Sequence, residues 1–191
     1  MSLRVISGTA KGRKLRPVPG EATRPITDRA KEALFDILAG DVLDSRWWDL
    51  FGGTGAVGIE ALSRGAAFVR FTEKDRRAVE TIRENVEHCR LTDRAEIRRA
   101  DTFALIATPP DRPFDYIYIA PPQYEELWSK AVEMLDANPG WLSDASWLIA
   151  QIHPREYEQL QLKHFEEFDQ RKYGSTQFVF YESKPVETEQ K

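Results

Sequence analysis

Asp49 stands just ahead of four glycines, Gly52, Gly53, Gly55 and Gly58. The segment RWWDL precedes them, and Val57, Ile59, Ala61 and Leu62 follow with helical spacing. The stretch from Arg46 to Ala61 therefore reads as strand, tight turn and helix start. Glycines in such a turn take positive φ and let the backbone approach a ligand closely. The opening helix meanwhile aims free N–H groups and the positive end of its dipole at that ligand. The chemistry on offer is capture of a nucleotide-like group. Glu73 follows about 20 residues after the glycines, as a ribose acceptor does in dinucleotide-binding folds, and Asp101 and Thr102 come later. A carboxylate only accepts hydrogen bonds, which suits Glu73 to a ribose diol and Asp101 to an adenine amine.

Gly53-Thr54-Gly55-Ala56-Val57-Gly58 fits the GxGxxG pattern of dinucleotide-binding folds. An acid immediately before the glycines, as Asp49 is, equally suits S-adenosylmethionine (SAM), whose methionine part carries an ammonium and a sulfonium instead of a pyrophosphate. The glycines alone leave SAM, a dinucleotide and a plain glycine-rich turn open. Chain order narrows the choice. Thr27 or Asp28 can cap a helix over RAKEALFDIL, with Ala33, Leu34, Ile37 and Leu38 on its buried face and Gly40 as its stop. Beyond it, strand and helix signals alternate: RWWDL, AVGIEALSRG, AAFVRFTE, RRAVETIRENVEHCRL, AEIRRAD, FDYIYIA, a helix over 125–135, and SWLIAQIH. That alternation predicts a parallel sheet with helices on both faces.

After a short helix over PREYEQL, the strands FEEFDQRKY and TQFVFYES meet at Gly174-Ser175, a hairpin signal. One of that pair must oppose the parallel set, an arrangement typical of SAM-dependent methyltransferases and not of dehydrogenases. The expected fold is thus α/β, a Rossmann-like sheet of seven strands with an antiparallel last pair. Residues 1–25 are expected to form a basic arm that begins as a small hairpin around Gly8 and Gly12. Residues 26–184 form the main domain and 185–191 a frayed tail.

The chain of 191 residues is 41% hydrophobic, enough for one full core. Its net charge of −4 is unevenly spread. Residues 1–35 hold eight Lys/Arg against three acids, and the remainder nineteen against twenty-eight. A basic arm on an acidic body is the footprint of a module that contacts phosphates. Arg4, Lys11, Arg13, Lys14, Arg24 and Arg29 are the candidate RNA contacts. A single cysteine, Cys89, excludes an internal disulfide and a multi-cysteine zinc site, and points to a reducing, cytoplasmic compartment. The three histidines, at 88, 153 and 164, are scattered without metal-ligand spacing, so no metal is expected. No apolar run reaches the length of a membrane span, and no membrane partner is expected.

With these motifs in place the sequence resembles the RsmD family of class I methyltransferases. The resemblance covers about residues 3–182, through RVISGTAKGRKL, TRPITDRAKEALFDIL, DLFGGTGAVGIEALSRGA and a strand ending in Pro121-Pro122. It implies methylation of the exocyclic N2 of a guanine in small-subunit (16S) ribosomal RNA. SAM would be held by Asp49, Gly52, Gly53, Gly55, Glu73, Lys74, Asp101 and Thr102, with Thr27 nearby, and ribosomal RNA gripped by the arm. A monomer acting on the small subunit or its assembly intermediate is expected.

The sequence departs from the family at one point. The amino-methylating motif has Asp or Asn before its two prolines and an aromatic after them, whereas this chain has Ala120, then Gln123 ahead of Tyr124. In the usual chemistry the acid or amide side chain and a proline carbonyl accept the amine's N–H bonds and align its lone pair, while the aromatic stacks the base. Pro121 keeps its carbonyl, Tyr124 can stack, and Gln123 or water can replace the acceptor that Ala120 lacks. Loss of one acceptor costs about 10²-fold or more in rate, so a SAM- and RNA-binding protein with weak or altered transfer is the nearest rival. A nicotinamide-dependent oxidoreductase is the second.

Overall fold

Alternation along each strand decides which of two apolar layers a side chain enters. The computed structural model describes residues 3–20, 26–123 and 125–185. Seven strands form one sheet: β1 (Arg46–Asp49), β2 (Phe68–Glu73), β3 (Ala95–Arg99), β4 (Phe114–Ile119), β5 (Leu142–Ile152), β6 (Phe165–Tyr173) and β7 (Thr176–Ser183), in the order β3-β2-β1-β4-β5-β7-β6. β3, β2, β1, β4 and β5 pair in parallel. β7 runs antiparallel to both of its neighbours and is the opposed strand that the hairpin signal demanded.

Trp47 and Trp48 show the two layers at one step along β1. Trp47 joins Ala30, Leu34, Phe35 and Leu38 of α1 (Asp28–Leu38), Ile59 and Leu62 of α2 (Ala56–Ser63), and Ile82 and Val86 of α3 (Arg76–His88). Trp48 joins Ile106 of α4 (Thr102–Ile106) and Trp128, Val132 and Leu135 of α5 (Leu127–Ala137) on the other face. Each indole N–H has a partner, Trp47 on Ser45 Oγ and Trp48 on Thr72 Oγ1, both at 2.8 Å. Burial of these rings is paired, as buried amphipathic side chains require. Among the described residues no helix is long and apolar enough to cross a membrane.

Local departures from expectation have identifiable causes. The buried face of α1 is Ala30, Lys31, Leu34, Phe35 and Leu38, one step round from the expected stripe, because Lys31 is pulled inward by Glu60. Ala39 at φ 46°, not Gly40, ends that helix. PREYEQL forms only one 3₁₀ turn over Pro154–Glu156, with Pro154 restricting its start and Tyr157 already extended. β5 begins at Leu142, ahead of the expected SWLIAQIH, and β3 ends at Arg99, freeing Asp101 to cap α4.

The N-terminal arm is a turn-rich loop closed by one antiparallel bridge between Arg4 and Lys14, not a full hairpin. It lies on α2. The Glu60 carboxylate accepts from the backbone N–H of Ile6 (2.8 Å) and Ser7 (3.0 Å), and pairs with Lys31 Nζ (3.4 Å) and Arg64 Nε (2.8 Å). Gly8 passes so close that an added Cβ would lie 1.8 Å from the Ser63 carbonyl oxygen. Lys31 is fully buried and donates to the Arg4 carbonyl at 2.5 Å, and burial draws its pKa below the usual lysine range. One carboxylate thus fastens arm, α1 and α2 together. Glu60→Gln leaves the Lys31 charge without its counter-ion and should lower stability to urea by about 3 kcal/mol. Adding Lys31→Met should recover part of that loss, and an unchanged midpoint in Glu60→Gln would refute the clamp.

Candidate active site

At the carboxyl ends of the parallel strands, where β1 has β2 on one side and β4 on the other, lies a cleft of about 900 Å³. Such a reversal of strand order is where open α/β sheets bind ligands. β1 delivers Asp49, and the chain then turns through the glycines into α2. Gly53 (φ 53°) and Gly55 (φ 78°) occupy the left-handed region, and Gly55 N–H donates to the Gly52 carbonyl at 2.7 Å. Gly58 is required for a different reason. A Cβ there would meet the Phe71 ring at 2.3 Å, so only glycine lets α2 lie this close to β2.

Asp49 is buried, lines the cleft, and its Oδ1 has no hydrogen-bond partner among the described residues. Burial pushes its carboxyl up to about 8, and the neighbouring Glu73 charge adds to the rise, while the Gly58 and Phe51 backbone N–H groups oppose it. An orphaned buried oxygen is costly unless something that binds there satisfies it.

Glu73, at the end of β2, accepts from Gly53 N–H (3.1 Å) with one oxygen and from Lys74 (2.8 Å) and Asp75 (3.0 Å) N–H with the other. Its carboxylate is thereby held rigidly on the cleft wall, with lone pairs left for a ligand. Asp101 caps α4 by accepting from Ala104 N–H (2.9 Å), and the buried Thr102 hydroxyl donates to the Leu50 carbonyl (2.5 Å). Both line the cleft, as do Gly52, Gly53, Lys74, Ala120, Pro121 and Gln123. Thr27 does not; its hydroxyl caps α1 by accepting from Ala30 N–H at 3.2 Å, and Ile26 beside it lines the cleft instead. Gly55 is not on the wall either. Its role in this structure is to set the turn. Tyr124 lies outside the described residues.

Residues that sequence reasoning passed over complete the wall. Phe51 and Phe103 approach edge to face at 6.0 Å, with Lys130 Nζ 4.4 Å over the Phe103 ring. Tyr118 of β4 pairs with Asp49 of β1 in register, and its hydroxyl donates to Gln151 Oε1 on β5. Burial holds that hydroxyl well above the ordinary tyrosine range, Asp49 adding to the effect, so it remains a donor. The signal for Tyr118 was the alternation of FDYIYIA, which places it on the face of Ala120. For Gln151 it was a polar residue interrupting WLIAQI.

The arm's basic residues divide into two sets. Arg4 pairs with Asp28 (2.8 Å), and the Arg13 guanidinium donates to the His88 carbonyl, so both help fasten the arm. Arg16, paired with Glu84 (2.8 Å), does the same. Lys11, Lys14 and Arg29 are exposed, and Arg24 lies outside the described residues. The buried Asn85 joins this arm to the glycine turn: its amide donates to the carbonyls of Arg16 (3.0 Å) and Thr54 (2.9 Å) and accepts from Arg16 N–H (2.8 Å). Among the described residues no cluster of His, Cys, Asp and Glu is arranged to hold a metal ion.

The family model described as "Conserved hypothetical protein 95" matches residues 3–182. YlbH of Bacillus subtilis is 37% identical over 158 residues, 82% of this chain and 85% of that protein. The ribosomal RNA small subunit methyltransferase D of Escherichia coli K12 is 35% identical over 143 residues, 74% of this chain and 70% of that protein. Among solved structures, yhhF of Escherichia coli superposes with a TM-score of 0.84 at 28% identity, covering 96% of this chain and 98% of that one. An RNA methyltransferase from Salinibacter ruber, solved with S-adenosyl-L-homocysteine, shares the fold with a TM-score of 0.64 at 16% identity, over 88% of this chain and 98% of that one. With its glycine turn, strand-end acids and antiparallel last strand pair, the chain belongs to the RsmD family of class I methyltransferases.

Proposed function

We propose that this chain transfers a methyl group from SAM to the exocyclic N2 of a guanine in small-subunit ribosomal RNA. It would do so as a cytoplasmic monomer acting on the subunit or an assembly intermediate. The observation that carries the reading is the buried, unpartnered Oδ1 of Asp49 on the cleft wall. A ligand with a positive charge and N–H donors satisfies it, and the ammonium of a methionine moiety is such a group. A dinucleotide would instead bring a pyrophosphate toward a wall bearing Asp49, Glu73 and Asp101, like charge facing like. The RNA half of the reading is supported by relatives in Escherichia coli and Haemophilus influenzae that are named for small-subunit ribosomal RNA.

Bound there, SAM supplies an electrophilic methyl group on a sulfonium. In this reading Asp49 pairs with the ammonium, Gly52 and Gly53 allow close approach, Glu73 accepts from the ribose, and Asp101 accepts from the adenine amine beside Thr102. Lys74 forms the rim, the Pro121 carbonyl accepts from the target amine, and Tyr124 stacks the base. Tritiated methyl transfer to small subunits that lack the modification tests the whole. Wild type should transfer, and Asp49→Ala should lower SAM affinity about 30-fold or more, the effect of truncating one partner of a buried ion pair. Undiminished SAM uptake by that variant would contradict the assignment.

Asp49 also sets a pH dependence. Its folded value of about 8 lies above the ordinary 3.8, so between about pH 4 and 8 the folded chain holds a proton that the unfolded chain has lost. Stability contributed by that proton is present at low pH and disappears as pH rises through the window. Asp49→Asn should therefore raise the Tm of the ligand-free protein at pH 8 and leave it nearly unchanged at pH 4. Each kcal/mol regained corresponds to about 2–4 °C. Pairing with an ammonium needs the carboxylate, so SAM affinity should rise from about pH 6 to about 7.5, below the usual α-amino range. A flat affinity over that interval would contradict the pairing.

Exposed Lys11 and Lys14 serve as phosphate contacts in this reading. Replacing both with Ala should weaken RNA binding and reduce the slope of log affinity against log salt by about 2, leaving SAM affinity unchanged. An unaltered slope in filter binding would remove the arm from RNA recognition.

A further inference from the structure

An exocyclic amine is a poor nucleophile because its lone pair is conjugated with the ring. Two acceptors on its N–H groups localise that lone pair and aim it. The Pro121 carbonyl is one acceptor. The methyl side chain of Ala120 offers none, yet the structure puts an amide next to it. β4 and β5 are parallel, with Tyr118 opposite Ile149 and Ile119 opposite Ala150. Gln151 therefore stands beside Ala120 one residue further along, and register partners project from the same face of a sheet. Ala120, Pro121 and Gln151 line the same cleft.

The glutamine leans toward β4, because its Oε1 accepts from the Tyr118 hydroxyl. In the structure the amide oxygen is the end turned toward Tyr118, and that oxygen keeps a second lone pair. Strands lie about 4.8 Å apart, and a glutamine is one methylene longer than asparagine, so the amide can serve the space over Ala120 from the neighbouring strand. Gln123, on the same wall, is exposed and has no hydrogen bond of this kind among the described residues.

We propose that Gln151 Oε1 is the second acceptor for the target amine, supplying from β5 what Ala120 does not supply from β4, with Tyr118 as its positioning residue. This rests on the amine-methylating function proposed above. The amine's lone pair forms the new N–C bond while the donor's C–S electron pair stays on sulfur. The excess proton on nitrogen then passes to water, since neither an amide nor a carbonyl is a base at neutral pH.

The test combines transfer kinetics with a binding measurement free of turnover. Gln151→Ala and the length-preserving Gln151→Met should each lower kcat by about 10²-fold, with S-adenosylhomocysteine affinity by calorimetry unchanged, which also shows that the variants fold. Ala120→Asn added to Gln151→Ala should recover at least about tenfold, because the acceptor returns from the other strand. Saturation-transfer NMR of the S-adenosylhomocysteine-loaded protein supplies the second readout. Wild type should prefer guanosine to inosine, which lacks only the N2 amine, by about 5-fold, and both Gln151 variants should lose most of that preference. Wild-type kcat in the variants, absence of rescue, or an intact guanosine preference would each overturn the role of Gln151 while leaving the methyltransferase reading standing. A wild-type protein that neither transfers methyl nor takes up S-adenosylhomocysteine would overturn that reading, and this inference with it.

Discussion

A carboxyl group sealed beneath a glycine turn, one oxygen without a partner among the described residues, is the constraint on which the site depends. Asp49 Oδ1 is in that position, and burial together with the nearby Glu73 charge makes its ionised form expensive in the ligand-free chain. In the proposed function, keeping such a group at the end of β1 sacrifices stability for a preformed cation site. In the proposed function, the donor's ammonium restores what burial removes. The same carboxylate is a liability to any ligand that arrives with negative charge.

Much of the surrounding architecture keeps this arrangement in place. Gly58 allows α2 to press on Phe71, which sets the height of the turn over the sheet. Glu73 ties the turn to β2 through Gly53 N–H, and the Thr102 hydroxyl ties α4 to the Leu50 carbonyl. Asn85 joins the turn to the N-terminal arm through the carbonyls of Thr54 and Arg16. Below them, the fully buried Arg70 fixes the other layer by forking onto Asp111 at 2.8–2.9 Å and Glu96 at 2.7 Å, amid the rings of Trp48, Phe114 and Trp141. Asn85 thus makes the arm mechanically continuous with the cofactor turn, through hydrogen bonds to backbone.

What was legible in the sequence followed physical periodicity. RWWDL, FDYIYIA and the Gly174-Ser175 hairpin have strong local signals, and the parallel sheet with one reversed strand followed from them. The placement of Asp49, Glu73 and Asp101 on the cleft wall was legible because residues at strand ends next to a glycine turn face the cleft. Contacts between segments far apart in the chain were not. Lys31 looks like any helical surface lysine until Glu60, on another helix, draws it inward. Arg13 reads as a phosphate contact until the His88 carbonyl is placed beside it. Gln151 could not be assigned from spacing, since its relation to Ala120 exists only through the register of two strands some thirty residues apart.

The claim at the centre is that the cleft selects a cationic methyl donor. Isothermal calorimetry of the wild-type protein, titrated in turn with SAM and with NAD at pH 7 in two buffers of different ionisation enthalpy, tests it directly. The account predicts one-to-one uptake of SAM with release of close to one proton, and no measurable heat from NAD. Uptake of NAD in preference to SAM, or no uptake of SAM, would contradict it.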